Sequence, residues 1–448
     1  MKKQNKSDKK GASSFSFKKQ LFIPLVILIF LLLGTILMVL YARGYRFDFG
    51  KGEPKLSKTG ILNLTSSPKG AQVYVDGHPT IATDNSINLA PNKYTIKISK
   101  DGYNDWQKDV DVKQEEVTNL DAILFPKSPT LQSISTFGVE QALIDPTGTK
   151  LAFKIASQSA RKNGVYIFDM TQRPLPILQG QSSSNQLADD STDKFSESTL
   201  YFSPDGKELL ASISASLKNP TDATQLAPDS EGLSTYYLLK TDSFNDVPQD
   251  TTAIIDTVFD TWNTQRQDKE RAKIKSLKPK LAEFSKNNFN ILSWSPDDKK
   301  ILYQASASSQ MPMFINPRRI GNNLRYERRD LKKGAIYVYD ITEDVNTRII
   351  DSTDLICTEY SPNCNSDNSG ITAQKNPLTW FPDSEHLVYV HEGKINIVET
   401  DGSNMTTIYA GPFIDHYVFP WPDESKIVIL TNLGNPSVSP TLYTIGLK

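Results

Sequence analysis

Ser295-Pro296-Asp297-Asp298 sits between two apolar runs, and four other stretches of the chain repeat the arrangement. They are Asp145-Pro146-Thr147-Gly148, Ser203-Pro204-Asp205-Gly206, Phe381-Pro382-Asp383-Ser384 and Trp421-Pro422-Asp423-Glu424. Each follows an apolar or aromatic run, and each precedes a second one: 151–155, 208–213, 300–304, 386–390 and 426–430. Proline pre-sets φ and Asp or Gly tolerates tight-turn geometry, so the unit reads as strand, turn, strand. A β unit repeated in this way predicts a propeller, in a chain that is mainly β.

The turn prolines are separated by 58, 92, 86 and 40 residues. The shortest separation equals the length of a four-stranded blade, about 40 residues, so the longer ones are a blade plus an insertion. Third strands are expected at 165–169, 236–239, 335–340, 394–399 and 441–445. The last blade shows three strands, and residues 129–136 are expected to supply its fourth and close the ring. The count is five blades, or six if a divergent copy escapes notice, over 126–448. The phrase Ser-Pro-Asp-Gly-Lys, then a strand, a loop and Ile336-Tyr337-Val338-Tyr339-Asp340, resembles the repeats of TolB-type periplasmic propellers. It also resembles the propeller domains attached to prolyl-oligopeptidase-like enzymes. The resemblance implies a fold and says little about activity.

The 448 residues are too many for one ordinary core and predict two or three domains. A net charge of −1 argues against a generic nucleic-acid binder. That balance hides an asymmetry: residues 1–20 carry net +6, leaving −7 for the rest. Residues 21–41 contain no charged side chain. As a helix they span roughly 31 Å, enough for a bilayer core of about 30 Å. The basic tail 1–20 before this span favours a cytoplasmic N-terminus, with the remaining domains outside. Arg43, Arg46, Lys51, Lys55 and Lys58, just beyond the span, reduce that bias. A cleaved signal peptide is the rival reading. Its apolar region is usually about 7–15 residues with a small-residue cleavage site. Here the run is longer and ends in Val39-Leu40-Tyr41-Ala42-Arg43-Gly44-Tyr45, a poor cleavage site, so an uncleaved anchor is expected.

Residues 42–58 read as a linker and 59–125 as a small β sandwich. Val73-Tyr74-Val75 leads into the turn Asp76-Gly77, and 94–98 alternates into Asp101-Gly102-Tyr103. The segment resembles the PEGA domain of bacterial surface proteins. The resemblance rests on Pro68-Lys69-Gly70-Ala71, where Lys69 replaces the family's usual Glu, on Val73–Gly77, on Leu89–Tyr94 and on Lys100–Tyr103. It implies a surface-associated module without catalytic residues.

If the strands of a blade are called A to D from the axis outward, A–B and C–D turns share one end of the ring. B–C loops and D–A crossings share the other. The insertions 214–234 and 306–334 read as B–C loops, and 181–198, 250–288 and 351–376 as D–A crossings, so all five are expected at one end. Long loops on a rigid scaffold commonly carry binding residues. Residues 251–285 read as helical, with Ile254, Ile255, Val258, Phe259 and Trp262 forming an amphipathic stripe, and are expected to cap that end. The loop 306–334 carries net +5, and its Arg318, Arg319, Arg325, Tyr326, Arg328 and Arg329 are the candidate binding residues for an anionic polymer. A merely solvated charged loop fits the same composition. Cys357 and Cys364 are the only cysteines. Outside the cytoplasm they would form a disulfide contributing about 2–3 kcal/mol, or else remain thiols.

The chain contains no Gly-x-Ser-x-Gly, His-Glu-x-x-His, Walker, Rossmann, Cys-x-x-Cys or EF-hand pattern. His78, His386, His391 and His416 read as structural, and Trp294, Trp380 and Trp421 as blade-packing residues. No cofactor, metal or nucleic acid is expected. The expectation is a membrane-anchored, non-enzymatic envelope protein of a bacterium that binds an envelope protein or a cell-wall polysaccharide. An envelope hydrolase or lyase using a pocket on the propeller face is the alternative.

Overall fold

The computed structural model describes residues 17–42, 45–48, 55–135, 137–171, 184–214, 234–319, 321, 323, 326–351, 378–414 and 417–448. Contacts divide the chain into two compact units. The first is 1–96 with 109–122, and the second is 97–108 with 123–448.

In the first unit, helix α1 (Phe17–Ala42) contains a stretch, Pro24–Tyr41, long and apolar enough to cross a membrane, and none of that stretch is buried. Beyond it, Tyr45–Asp48 pairs antiparallel with Lys55–Lys58. The residues read as a linker therefore hold a two-stranded ladder. The strands that follow form two sheets. One is a three-stranded sheet of Asn85–Leu89, Gly60–Ser67 and Val117–Ile123; the other has four strands. Strict alternation along Gly60–Ser67 buries Leu62 and Leu64 completely, with Val73, Val110, Val112 and Ala122 also buried. This is the small sandwich that the period-two pattern predicts.

The second unit is built on five four-stranded antiparallel sheets. Blade one is Ala142–Ile144, Lys150–Ile155, Gly164–Asp169 and Ser184–Asp189. Blade two is Thr199–Phe202, Glu208–Ser214, Ser234–Lys240 and Gln249–Asp250. Blade three is Phe289–Trp294, Lys300–Ala305, Ile336–Asp340 and Val345–Ile350. Blade four is Leu378–Trp380, His386–His391, Lys394–Glu399 and Thr406–Tyr409. Blade five takes Val418–Pro420, Lys426–Thr431 and Thr441–Gly446 from the end of the chain and its outermost strand, Leu131–Ser133, from before blade one. Gln132 lies opposite Thr444 in that pairing. Closure by both ends leaves blade five without an unpaired flank on its third strand.

The five quoted turns have one geometry. The first residue's N–H donates to the carbonyl five residues on, and the fourth residue's N–H donates back to the first. The fourth residue has positive φ in every copy: Gly148, Gly206, Asp298, Ser384 and Glu424. The Asp side chains serve the turn itself; Asp297, for example, accepts from the Ser295 hydroxyl and the Lys299 amide. Turns also bond to the next blade. Lys150 Nζ reaches Thr241, and Lys300 Nζ reaches Ser384 and Glu385. Shared cores join blades five and one, one and two, three and four, and four and five.

The seam between blades two and three is filled differently. Helix α2 (Ile255–Ser276) leaves blade two at the loop end and runs about 33 Å to the turn end. There Lys269 bonds the Pro204 carbonyl at 2.6 Å and Lys273 pairs with Asp298 at 2.6 Å. Phe259 packs against Tyr201 and Tyr236 of blade two, and Glu270 accepts from Trp294 Nε1 of blade three. Helix α3 (Pro279–Asn288) returns along blade three, burying Leu281 in a core with Tyr303, Tyr337 and Tyr339. The expected helical cap is thus a hairpin set into the ring. Of its stripe Trp262 is buried, Ile255, Val258 and Phe259 are half-buried between the two blades, and Ile254 is exposed.

Two further insertions differ from expectation. Residues 181–198 are not one crossing, since Ser184–Asp189 is the outer strand of blade one. Loop 306–334 starts at the loop end but lies along blade three's outer strand, as described below. Residues 215–233 and 352–377, the cores of the other two, lie outside the described residues.

Gly164 opens the third strand of blade one with φ +129°, and a Cβ there would meet the Ala188 carbonyl oxygen at 2.1 Å. Gly164→Ala is expected to destabilise the second unit by about 2 kcal/mol, read as a lower urea midpoint.

Candidate functional site

Among the described candidate residues, Arg318 and Arg329 are held by carboxylates, whereas Arg319 and Arg328 are exposed. Within loop 306–334, Ser309–Gln310 pairs with Asp330–Leu331, and Met311 and Leu331 are buried in the blade-three core. Glu327 forms a bridge to Thr347, and Arg328 exchanges hydrogen bonds with Asn346 through its N–H (2.7 Å) and its carbonyl (2.6 Å). The loop therefore shields the outer strand of blade three. Arg318 grips Glu327 through both guanidinium tips, at 2.7 and 3.3 Å. Arg329 donates to Glu327 at 2.6 Å and to Asp344 at 3.0 Å. Burial opposes the charge on Arg329, and Asp344 and Glu327 more than offset this, raising its pKa. Asp344 is 1% exposed and also accepts from Tyr339 and from the Phe314 and Ile315 amides. Arg319 lies 3.8 Å from Glu343, Arg328 is exposed, Tyr326 is half-buried, and Arg325 lies outside the described residues. Of the six candidates, Arg318 and Arg329 are brought together on Glu327, and Arg329 also reaches Asp344.

A second cluster lies at the turn end of blade four. Trp106, 3% exposed, donates its Nε1 to Glu399. Lys108 pairs with Glu399 and, at 2.7 Å, with Asp401. Asn404 donates to Glu399 at 2.8 Å and accepts from the Gln107 amide at 2.9 Å. Burial works against the Lys108 cation, yet the two carboxylates raise its pKa overall. The small cavity among Asn104, Trp106, Phe125, His386, Glu399 and Asn404 measures about 10 Å³, room for about one water. This joint fastens segment 97–108 to blade four and does not admit a substrate.

His386 borders the same cavity. Its Nδ1 lies 2.6 Å from Asp383 Oδ2, and Phe125 and Phe381 pack edge-on against its ring. Burial disfavours the imidazolium, but Asp383, then Glu399 and Glu385, raise the pKa above the usual value. A raised histidine contributes stability that is complete below the unfolded-state pKa, about 6.5, and is lost as pH rises through the folded value. The stability difference between the protein and His386→Gln is therefore expected to shrink on going from mildly acidic to alkaline buffer. Paired melts across that range would show it. His391 is exposed and stacks on Tyr389, His78 is exposed, and His416 lies outside the described residues. Cys357 and Cys364 also lie outside them. Trp421 packs on Phe168, joining blade five to blade one, and Trp294 meets α2. Among the described residues no group of His, Cys, Asp and Glu is arranged to hold a metal.

The loop end of blade five has a different character. Residues 402–414 and 427–447 carry no charged side chain. They supply residues 410–414 of the crossing into blade five, short of Asp415, and its B–C loop, which touch where Thr431 Oγ1 donates to the Pro412 carbonyl at 2.5 Å. Leu433 is 51% exposed and Val438 50% exposed, Pro412 is exposed, and Phe413 is half-buried beside them. Phe137, from the crossing into blade one, is half-buried at the same end. Sequence reasoning passed over this surface, although a 21-residue run without charge was its visible signal.

Residues 59–128 match the family model of the PEGA domain, so the N-terminal β module is a PEGA domain. No curated protein matches the chain. Among solved structures, a TolB from Agrobacterium tumefaciens is 16% identical, with 67% of this chain and 76% of that chain covered at a TM-score of 0.20. TolB from Acinetobacter baumannii is 14% identical over 79% of this chain and 60% of that chain, with a TM-score of 0.21. The β-propeller domain of the Trilobed protease from Pyrococcus furiosus is 10% identical over 87% and 93%, with a TM-score of 0.22. Such scores carry no argument here, and the propeller assignment rests on the strand order and the five matched turns.

Proposed function

We propose that this chain is a membrane-tethered protein of a bacterial cell envelope that binds an envelope protein or a wall polysaccharide and does not catalyse. In this reading α1 is an uncleaved anchor, the basic tail is cytoplasmic, and the PEGA domain and propeller stand outside. The binding surface is the loop end of blades five and one. The observation that supports it is the exposed apolar set Leu433, Val438 and Pro412 on two stretches, 402–414 and 427–447, that carry no charged side chain, in a protein with 23% charged residues. Exposed apolar surface on a rigid scaffold marks interaction sites.

The test places a photo-crosslinking amino acid at Val438, or at Asp205 in a tight turn, in the full-length protein in its native membranes. Adducts at Val438 that disappear with Leu433→Asp support the proposal. Adducts only at Asp205, or none at Val438, would overturn it.

A further inference from the structure

The ladder after α1 changes where the first unit begins. The 16 residues 43–58 that follow α1, fully extended, would reach about 54 Å from the membrane. The register instead places Tyr45 opposite Lys58, Arg46 opposite Ser57, Phe47 opposite Leu56 and Asp48 opposite Lys55. Residue 58 is thus brought back beside residue 45, three positions after the end of α1. The PEGA domain starts at the end of the helix and not at the end of a spacer. A two-stranded ladder of this length is marginal in water by itself and is stabilised by packing on something else. The positions of Tyr45, Phe47, Leu56 and Lys58 share one face of the ladder, because directly opposite residues and every second residue do so. Tyr41, Tyr45, Phe47 and Phe49 fall within nine residues, the aromatic enrichment typical of a bilayer interface. Residues 43–58 carry five basic and two acidic side chains, net +3.

We propose that the ladder of Tyr45–Asp48 and Lys55–Lys58 is a membrane-surface element that lies in the headgroup layer of the bilayer crossed by α1 and binds anionic lipid headgroups. The inference rests on the anchor reading above. Continuity with the helix places the ladder at the interface, and its basic surplus selects anionic over zwitterionic lipid. The ladder sets the PEGA domain against the lipid surface.

The test uses the full-length chain with Cys357→Ser and Cys364→Ser, carrying a nitroxide at position 31 or 56. It is reconstituted in phosphatidylcholine vesicles or in vesicles with about one third phosphatidylglycerol. Relative accessibility to oxygen and to a water-soluble nickel chelate reports depth. The position-31 label should lie in the hydrocarbon, and the position-56 label should shift from water into the headgroup layer when phosphatidylglycerol is present. Arg46→Gln, Lys55→Gln and Lys58→Gln together should return it to water. A position-56 label that stays water-accessible in both lipids, with position 31 deep, overturns the inference and leaves the anchor intact. A headgroup-layer label indifferent to the three substitutions overturns the anionic-lipid role. A water-accessible label at position 31 overturns both readings.

Discussion

Asp344→Ala is expected to free loop 306–334 from blade three and to destabilise the second unit by about 3–5 kcal/mol. Asp344 is almost fully buried and accepts from two backbone amides, the Tyr339 hydroxyl and the Arg329 guanidinium. Truncation leaves a cation and three other donors short of their acceptor in a dry site, and each such loss costs more than the bond contributed. Asp344→Asn keeps part of the acceptor set and is expected to lose less. Urea unfolding gives the magnitude, and limited proteolysis within 306–334 should become rapid in the Ala variant. If both variants melt like the parent and the loop stays protected, the loop is held by its apolar residues alone.

Lys108→Met should be comparably costly. Lys108 and Glu399 are 14% and 9% exposed, so removing the cation strands the buried Glu399 beside the half-buried Asp401. Breaking a buried pair in this way costs about 3–5 kcal/mol, whereas replacing every charge in the cluster by a neutral group of similar shape is close to neutral. Lys108→Met with Glu399→Gln and Asp401→Asn is accordingly expected to recover most of the stability. A triple variant as unstable as the single one would show that the Coulombic account of this joint is wrong.

The local part of the fold was legible in the sequence. Five proline turns, the apolar runs beside them and the expected donation of 129–136 to the last blade are short-range patterns, and the observed turns repeat to the level of individual hydrogen bonds. The PEGA motif is equally local. What was hidden depends on partners distant in sequence. The net +5 of loop 306–334 suggested an open basic surface, but Glu327 and Asp344 neutralise Arg318 and Arg329 once the loop folds back on blade three. The stripe on α2 announced burial without saying that Tyr201 and Trp294, on different blades, would line the groove. Trp106 and Lys108 meet Glu399 across more than 290 residues, a pairing no motif announces. Residues 42–58 were read as a spacer because their turn residues, Gly50, Gly52 and Pro54, outweigh two strands of only four residues each.

Closure of the ring by strand Leu131–Ser133 holds the account together, and it can be tested covalently. In a Cys357→Ser, Cys364→Ser background, Gln132→Cys with Thr444→Cys places two thiols at directly opposite positions of the closing strands. The account predicts near-complete disulfide formation under mild oxidation, seen as a loss of free thiol and a faster-migrating non-reduced band. Thiols that stay free in the folded protein would contradict it, because the two ends of the propeller would then not be paired.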